Sequence, residues 1–213
     1  MANTTTPGTA ALLRGKALLI FDFDGTVADT TPLHEAAFAD VLRPLGVQVH
    51  YGTIAGMKTL DAIRSCAIAA GRSMDSETMS ALASAKQRRV REMIGDGLRP
   101  LPGVDRFLHW ARGHYRLAMV TSGSHGTVQI ALRQLGYSDL FDPLICADDV
   151  KHAKPAADGF LLALAGTGME RDQALVFEDS DAGFEAARAA QIDCVDARTF
   201  DWDSAPLLTE KRT

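Results

Sequence analysis

Short apolar runs alternate with longer helical stripes along most of this 213-residue chain. The runs cover 17–23 (ALLIFDF), 116–122 (RLAMVTS), 143–147 (PLICA), 174–179 (ALVFED) and 192–196 (IDCVD). Each has strand length and is mostly apolar, as a parallel strand covered on both faces requires. Between the runs, apolar residues recur at helical spacing. Phe107, Leu108 and Ala111 form one stripe, and Val128, Ile130, Ala131 and Leu135 a second. Phe160, Leu161, Leu164 and Ala165 form a third, and Phe184, Ala187 and Ala190 a fourth. This alternation predicts an α/β fold with a doubly wound, Rossmann-like parallel sheet.

One stretch breaks the alternation. From about residue 31 to 98 the pattern is helical only, with predicted helices at 33–45, 59–70 and 76–94. Gly46 and Gly71 stand where helix stops belong, and Asp75 or Ser76 is placed to cap the third helix. The Gly- and Pro-containing stretch 95–103 (GDGLRPLPG) reads as the return linker. The expected organisation is a core of 14–30 and 99–204 with an all-helical insert, 31–98, over the sheet's ligand edge. Residues 1–13 and 205–213 carry little pattern and are expected to be flexible tails.

Composition narrows the function classes without naming one. Apolar residues make up 46% and charged residues 23%, which is ordinary for a globular chain. A net charge of −5 offers no broad basic field for nucleic acid or anionic lipid. The apolar runs, residues 17–21 among them, are far too short to span a bilayer. Cys66, Cys146 and Cys194 are few and dispersed, as in a reducing compartment. No charged region followed by a long apolar stretch opens the chain. A cytoplasmic protein, monomeric by default, without nucleic-acid or membrane partners, is the expectation.

Four short segments carry the chemistry. Asp22 and Asp24 stand two residues apart at the end of the first run. Alternate strand residues share a face, so two like charges there call for a compensating cation. The plainer reading is a solvated strand end with a turn at Asp24-Gly25. Glu178 and Asp179 close the fourth run in the same way, and Asp181 is explained by the dipole of the helix that follows. Two acidic strand ends in one parallel sheet would set oxygen ligands around a hard cation such as Mg²⁺. Thr121, Ser122 and Gly123 precede a helix and suit a phosphate oxygen, although such residues are also common in turns. Lys154 precedes a helix predicted to start at Pro155 or Ala156. It is either a cation for a phosphate and the carboxylates or a solvated surface charge.

Taken together, DFDGTVADT at 22–30, Thr121-Ser122, KPAAD at 154–158 and VFEDSDAGFEAARAA at 176–190 resemble the haloacid dehalogenase superfamily in order and spacing. The resemblance covers residues 16 to about 198. Within the superfamily the chain resembles the C1-capped sugar-phosphate phosphatases of the bacterial fructose-1-phosphatase type and β-phosphoglucomutase. The resemblance implies a Mg²⁺-dependent phosphatase of small phosphorylated metabolites. Asp22 would be the nucleophile and Asp24 the general acid and base. Metal ligation would fall to the Asp22 carboxylate, the Asp24 backbone carbonyl and Asp179, with Glu178 behind them or bridged by water. Thr121 and Lys154 would hold the transferring phosphoryl group, with Ser122 and Gly123 adding hydrogen bonds; the motif hydroxyl is Thr121 or Ser122. Dehalogenation is not implied, because Asp24 has no duty in it. Gln191 stands where the family usually has Gly and Ala157 where it often has Pro, so a changed helix-end turn is expected at Gln191.

The insert is where substrate choice is expected. His34 is either substrate-facing, as the resemblance implies, or a surface residue at a helix start. Lys58 and Thr59 stand near the position of a mutase Arg that binds a second phosphate, which weakens the mutase reading. Lys86 either reaches the substrate or belongs to a solvated face with Gln87, Arg88 and Arg89. A phosphoglucomutase-like transferase, a phosphoglycolate phosphatase and a silent binding protein on the same fold are the alternatives, the last disfavoured because every catalytic position is filled.

Overall fold

A computed structural model describes residues 8–204 of the chain. Five parallel strands form one sheet in the order β3-β2-β1-β4-β5. They are β1 (Leu18–Phe21), β2 (Arg116–Val120), β3 (Leu144–Ile145), β4 (Ala174–Glu178) and β5 (Asp193–Asp196). The expected α/β fold is the one observed.

The sheet's two faces follow from the two-residue period of a strand. Leu19, Phe21, Leu117, Met119, Leu175 and Phe177 enter one apolar cluster. Their neighbours Leu18, Ile20, Ala118, Val120, Ala174 and Val176 enter the other. Helices α5 (Val104–Ala111) and α6 (His125–Leu135) cover the first face. Helices α7 (Asp158–Thr167) and α8 (Asp181–Ala190) cover the second. Strand β5 departs from the expectation of a fully covered strand: it lies at an edge, and none of its residues is fully buried.

Three helices occupy the segment between β1 and β2: α2 (Thr31–Leu42), α3 (Thr59–Ala69) and α4 (Ser76–Gly95). They bury Phe38, Leu42, Val47, Ile54, Ile63 and Cys66 in a cluster of their own. Val90 and Ile94 of α4 join the cluster on the sheet instead, so the last turns of α4 pack on the sheet side. The Asp75 carboxylate accepts a hydrogen bond from the Thr78 amide at 2.7 Å, which makes Asp75 the N-cap of the two residues, Asp75 and Ser76, that the sequence offers.

Three local expectations need correction. Residues 9–13, read as part of a flexible tail, form a short helix α1 (Thr9–Leu13) that buries Leu13 in the core. The flexible tails expected at 1–7 and 205–213 lie outside the described residues. Helix α7 starts at Asp158 and not at Pro155 or Ala156. Its first carboxylate accepts hydrogen bonds from the backbone and ring nitrogens of His152, both at 3.1 Å, and so closes the preceding loop. Gln191 does not change the turn. It takes the left-handed geometry itself, at φ 59°, the one described non-glycine residue with positive φ.

Candidate active site

The strand order reverses beside β1, and a crevice opens there at the carboxyl ends of the strands. Asp22 follows β1, Thr121 follows β2, Glu178 ends β4, and Lys154 arrives from the loop before α7. The sheet therefore brings the four sequence segments to one edge.

Lys154 stands at the centre and is buried. Its ammonium donates to Asp22 Oδ1 at 2.6 Å, to the Val120 carbonyl at 2.9 Å and to Glu178 Oε1. Burial alone would lower the lysine's pKa, yet Asp22 and Glu178 hold it above its ordinary value. The Glu178 carboxylate is fully buried. Its other oxygen accepts from the amides of Asp179 and Ser180 and from the Ser180 hydroxyl, at 3.0–3.1 Å. Glu178, expected among the metal ligands, thus has both oxygens engaged by protein donors and serves to hold Lys154 and the Asp179 loop.

Asp24 is not on the strand. The ladder ends at Phe21, and Asp24 belongs to a tight turn in which the Gly25 amide bonds to the Ala28 carbonyl at 2.9 Å. The expectation that Asp22 and Asp24 share a strand face is corrected: Asp22 engages Lys154, while Asp24 turns toward α2. There Oδ1 accepts from the Thr30 hydroxyl at 2.5 Å and lies 3.3 Å from His34 Nε2. Gly25 has a φ of 82°, and a Cβ there would overlap the Asp179 carboxylate, so only glycine fits between the two acidic loops.

Charge at this edge is unbalanced. Oxygens of Asp22, Glu178 and Asp179 lie within 4.8 Å of one another, with Lys154 as the cation among them. Burial and the neighbouring carboxylates raise Asp22 well above the ordinary carboxylate range, though Lys154 opposes this. Asp179 is pushed up to about 6 by burial and Glu178. Its Oδ1 accepts a hydrogen bond from the Thr26 hydroxyl at 3.3 Å. Hard oxygen donors with surplus negative charge fit a divalent cation held by Asp22 and Asp179.

A cavity extends from these carboxylates toward α2, α3 and α4. Asp22, Asp24, His34, Lys86, Ser122 and Gly123 line it. Thr121 lies just behind, buried, and its Oγ1 accepts the Gly123 amide at 3.0 Å. Lys86 is no part of a solvated face: it is 3% exposed, whereas Arg88 and Arg89 are exposed. Its ammonium lies 4.4 Å from the Phe38 ring centroid and donates to His34 Nδ1 at 2.8 Å. An ammonium only donates, so Nδ1 accepts and the His34 proton sits on Nε2, facing Asp24. Burial lowers the His34 pKa, with Lys86 adding to the effect.

Two expected substrate contacts are used differently. Lys58 does not line the cavity; its ammonium donates to the Val150 carbonyl at 3.1 Å. The Ser122 hydroxyl donates to the Gly56 carbonyl at 2.6 Å. With the Arg91–Thr127 bond at 3.1 Å, these contacts fasten the helical segment to the sheet side. Sequence reasoning missed Thr30, Phe38, Tyr51, Gln87 and Thr127 at or beside the cavity. Only Thr30 had a signal, as the last residue of DFDGTVADT.

Comparison with known proteins bears on this geometry. The sequence profile of the haloacid dehalogenase-like hydrolases matches residues 19–197. Fructose-1-phosphate phosphatase YqaB of Escherichia coli is 38% identical over 180 residues, covering 84% of this chain and 95% of that protein. Validoxylamine A 7'-phosphate phosphatase of Streptomyces hygroscopicus subsp. limoneus is 32% identical, with 84% of each chain covered. CbbY of Rhodobacter sphaeroides, solved with xylulose-(1,5)bisphosphate, superposes with a TM-score of 0.76 at 26% identity and 84% coverage of both chains.

Proposed function

The chain belongs to the haloacid dehalogenase-like hydrolase family, and on that premise we propose that it is a Mg²⁺-dependent phosphatase of small phosphorylated metabolites, sugar phosphates first among them. The observation that carries the reading is the division of labour at the sheet edge. Asp22 is held by Lys154 at 2.6 Å, while Asp24 stands two residues on with its carboxylate toward the cavity, held by Thr30 and His34.

In this reading the Asp22 carboxylate attacks phosphorus, the ester O–P bond breaks, and an aspartyl-phosphate forms. Asp24 gives its proton to the departing oxygen. It then takes a proton from water as that water attacks phosphorus, which releases phosphate and restores Asp22. Thr121 and Lys154 neutralise and orient the phosphoryl oxygens. Mg²⁺ would be held by the Asp22 carboxylate, the Asp24 carbonyl and Asp179, with Glu178 behind; when bound it supplies positive charge beside the transferring group. The segment 31–98 acts as a cap whose His34 and Lys86 face the leaving group. Dispersed free cysteines support a reducing, cytoplasmic setting.

Phosphate release from a panel of sugar phosphates, with and without Mg²⁺, tests the proposal. Turnover that requires Mg²⁺ and vanishes in Asp22→Asn is the expected result. Unchanged turnover in Asp22→Asn refutes the nucleophile. Interconversion of glucose 1- and 6-phosphates without phosphate release would favour a mutase, and a sole response to phosphoglycolate would favour that hydrolase.

A further inference from the structure

A second group of donors stands beside the phosphoryl-binding edge and shares no side chain with it. His125 opens α6, Cys146 follows β3, and Asp149 ends the short turn Ala147–Asp149. A ring nitrogen of His125, Cys146 Sγ and an Asp149 carboxylate oxygen lie within 4.8 Å of one another. His125 Nε2 is 2.7 Å from Asp149 Oδ2.

Part of this group has a plain structural role. Cys146 and Asp149 cap their own turn: the Asp149 carboxylate accepts from the Cys146 amide at 2.8 Å, and the Cys146 side chain accepts from the Asp149 amide. Asp148 is committed to the start of α6, where its carboxylate accepts the His125 amide at 2.9 Å. The cap does not explain His125, which comes from another element. Its Nδ1 is buried and, among the described residues, has no hydrogen-bond partner. With Nε2–H donating to Asp149, Nδ1 holds a lone pair that nothing satisfies. A cation among the three residues gives the imidazole its missing partner.

Donor chemistry selects the cation. Imidazole nitrogen, thiolate sulfur and carboxylate oxygen together suit Zn²⁺, whereas Mg²⁺ takes oxygen ligands. Tetrahedral Zn²⁺ sets its ligand atoms about 3–4 Å apart, so only a small closure of the group is needed. We propose that His125, Cys146 and Asp149 form a Zn²⁺ site, separate from the all-oxygen group of Asp22 and Asp179, with a fourth position open to water. The buried thiol releases its proton to solvent as the metal–sulfur bond forms. The ion would staple the start of α6 to the loop after β3. That loop already holds the phosphoryl-binding turn, since the Ala147 amide donates to the Gly123 carbonyl at 2.9 Å.

The test titrates the full chain with Co²⁺, a spectroscopic stand-in for Zn²⁺, with Mg²⁺ in excess to fill the oxygen site. One equivalent of Co²⁺ is expected to give thiolate-to-cobalt charge-transfer absorption, and one equivalent of Zn²⁺ to abolish it. Cys146→Ser should remove the band, while Cys66→Ser and Cys194→Ser should leave it unchanged. His125→Ala should weaken Co²⁺ binding at least as much as the roughly 10–100-fold that an outer partner of a metal ligand is worth. The His125 side chain is 35% exposed, so this variant keeps the test valid should Cys146→Ser fail to fold. Absence of the band at one equivalent, its survival in Cys146→Ser, its loss in Cys66→Ser or Cys194→Ser, or unchanged affinity in His125→Ala overturns the proposal.

Discussion

The first turn of α8 brings the Gly183 backbone so close to the Glu178 carboxylate that a Cβ at 183 would overlap it. Glu178 in turn holds Lys154 and the amides of Asp179 and Ser180. A methyl group at 183 therefore acts on the active site through a residue that touches no substrate. Gly183→Ala is expected to lower kcat by about 100-fold, the scale of a misplacement near 1 Å. It should cost about 1–3 kcal/mol of stability from overpacking. Kinetics paired with urea unfolding checks this; full activity would mean that Glu178 does not position Lys154.

Lys154→Met removes the ammonium between two buried carboxylates. A broken buried pair costs roughly 3–5 kcal/mol near neutral pH because the remaining charge is uncompensated. The loss should shrink on acidification. Burial already raises the Asp22 pKa and Lys154 is the group that opposes this, so in the variant the folded-state value lies above the unfolded one and the protonated form favours the fold. Stability is then present at low pH and lost as pH rises through that folded value. Urea unfolding of variant and parent at pH 5 and pH 8 should show the smaller gap at pH 5. A gap that is constant with pH would disprove the account.

The sheet edge was legible in the sequence for a physical reason. Parallel strands buried on both faces read as apolar runs, and their polar ends stand out, as Asp22, Thr121 and Glu178 do. Strand β5 was legible as a strand but not as an edge, because strand order is not written in a local pattern. Contacts between distant segments were equally hidden. Nothing local in Gly56-Met57-Lys58 says that Lys58 reaches Val150 or that Gly56 accepts from Ser122. Lys86 read either as reaching the substrate or as one charge of a solvated face, and the local pattern could not choose because its burial depends on Phe38 and His34 of another helix.

Gln191 is the place where a local rule is broken without a contact to the catalytic edge. A left-handed conformation costs an ordinary L-residue about 1–2 kcal/mol, and glycine's greater freedom in the unfolded chain returns part of that. Gln191→Gly is expected to stabilise by about 0.5–1 kcal/mol, read as a higher urea midpoint, with kcat and KM unchanged. A lower midpoint would show that the glutamine side chain contributes more than its backbone costs.

Lys86 couples stability to alkaline pH. Burial lowers its pKa from the ordinary 10.5 to about 8, against the opposing pull of Asp24. The charged amine is therefore the form that costs the fold. Below pH 8 both folded and unfolded chains hold the proton and the cost is present in full. Between about 8 and 10.5 the unfolded chain retains a proton that the folded chain has released, so stability rises with pH across that window. At 1.36 kcal/mol per pK unit the change across the whole window amounts to about 3 kcal/mol. Lys86→Met has no amine to titrate and lacks this rise, while cysteine and tyrosine titrations are common to both proteins and cancel in the difference. Urea unfolding at pH 7.5 and pH 9.5 should show the parent gaining on the variant. Parallel curves would mean that Lys86 titrates as a solvated lysine and that His34 and Phe38 do not enclose it in solution.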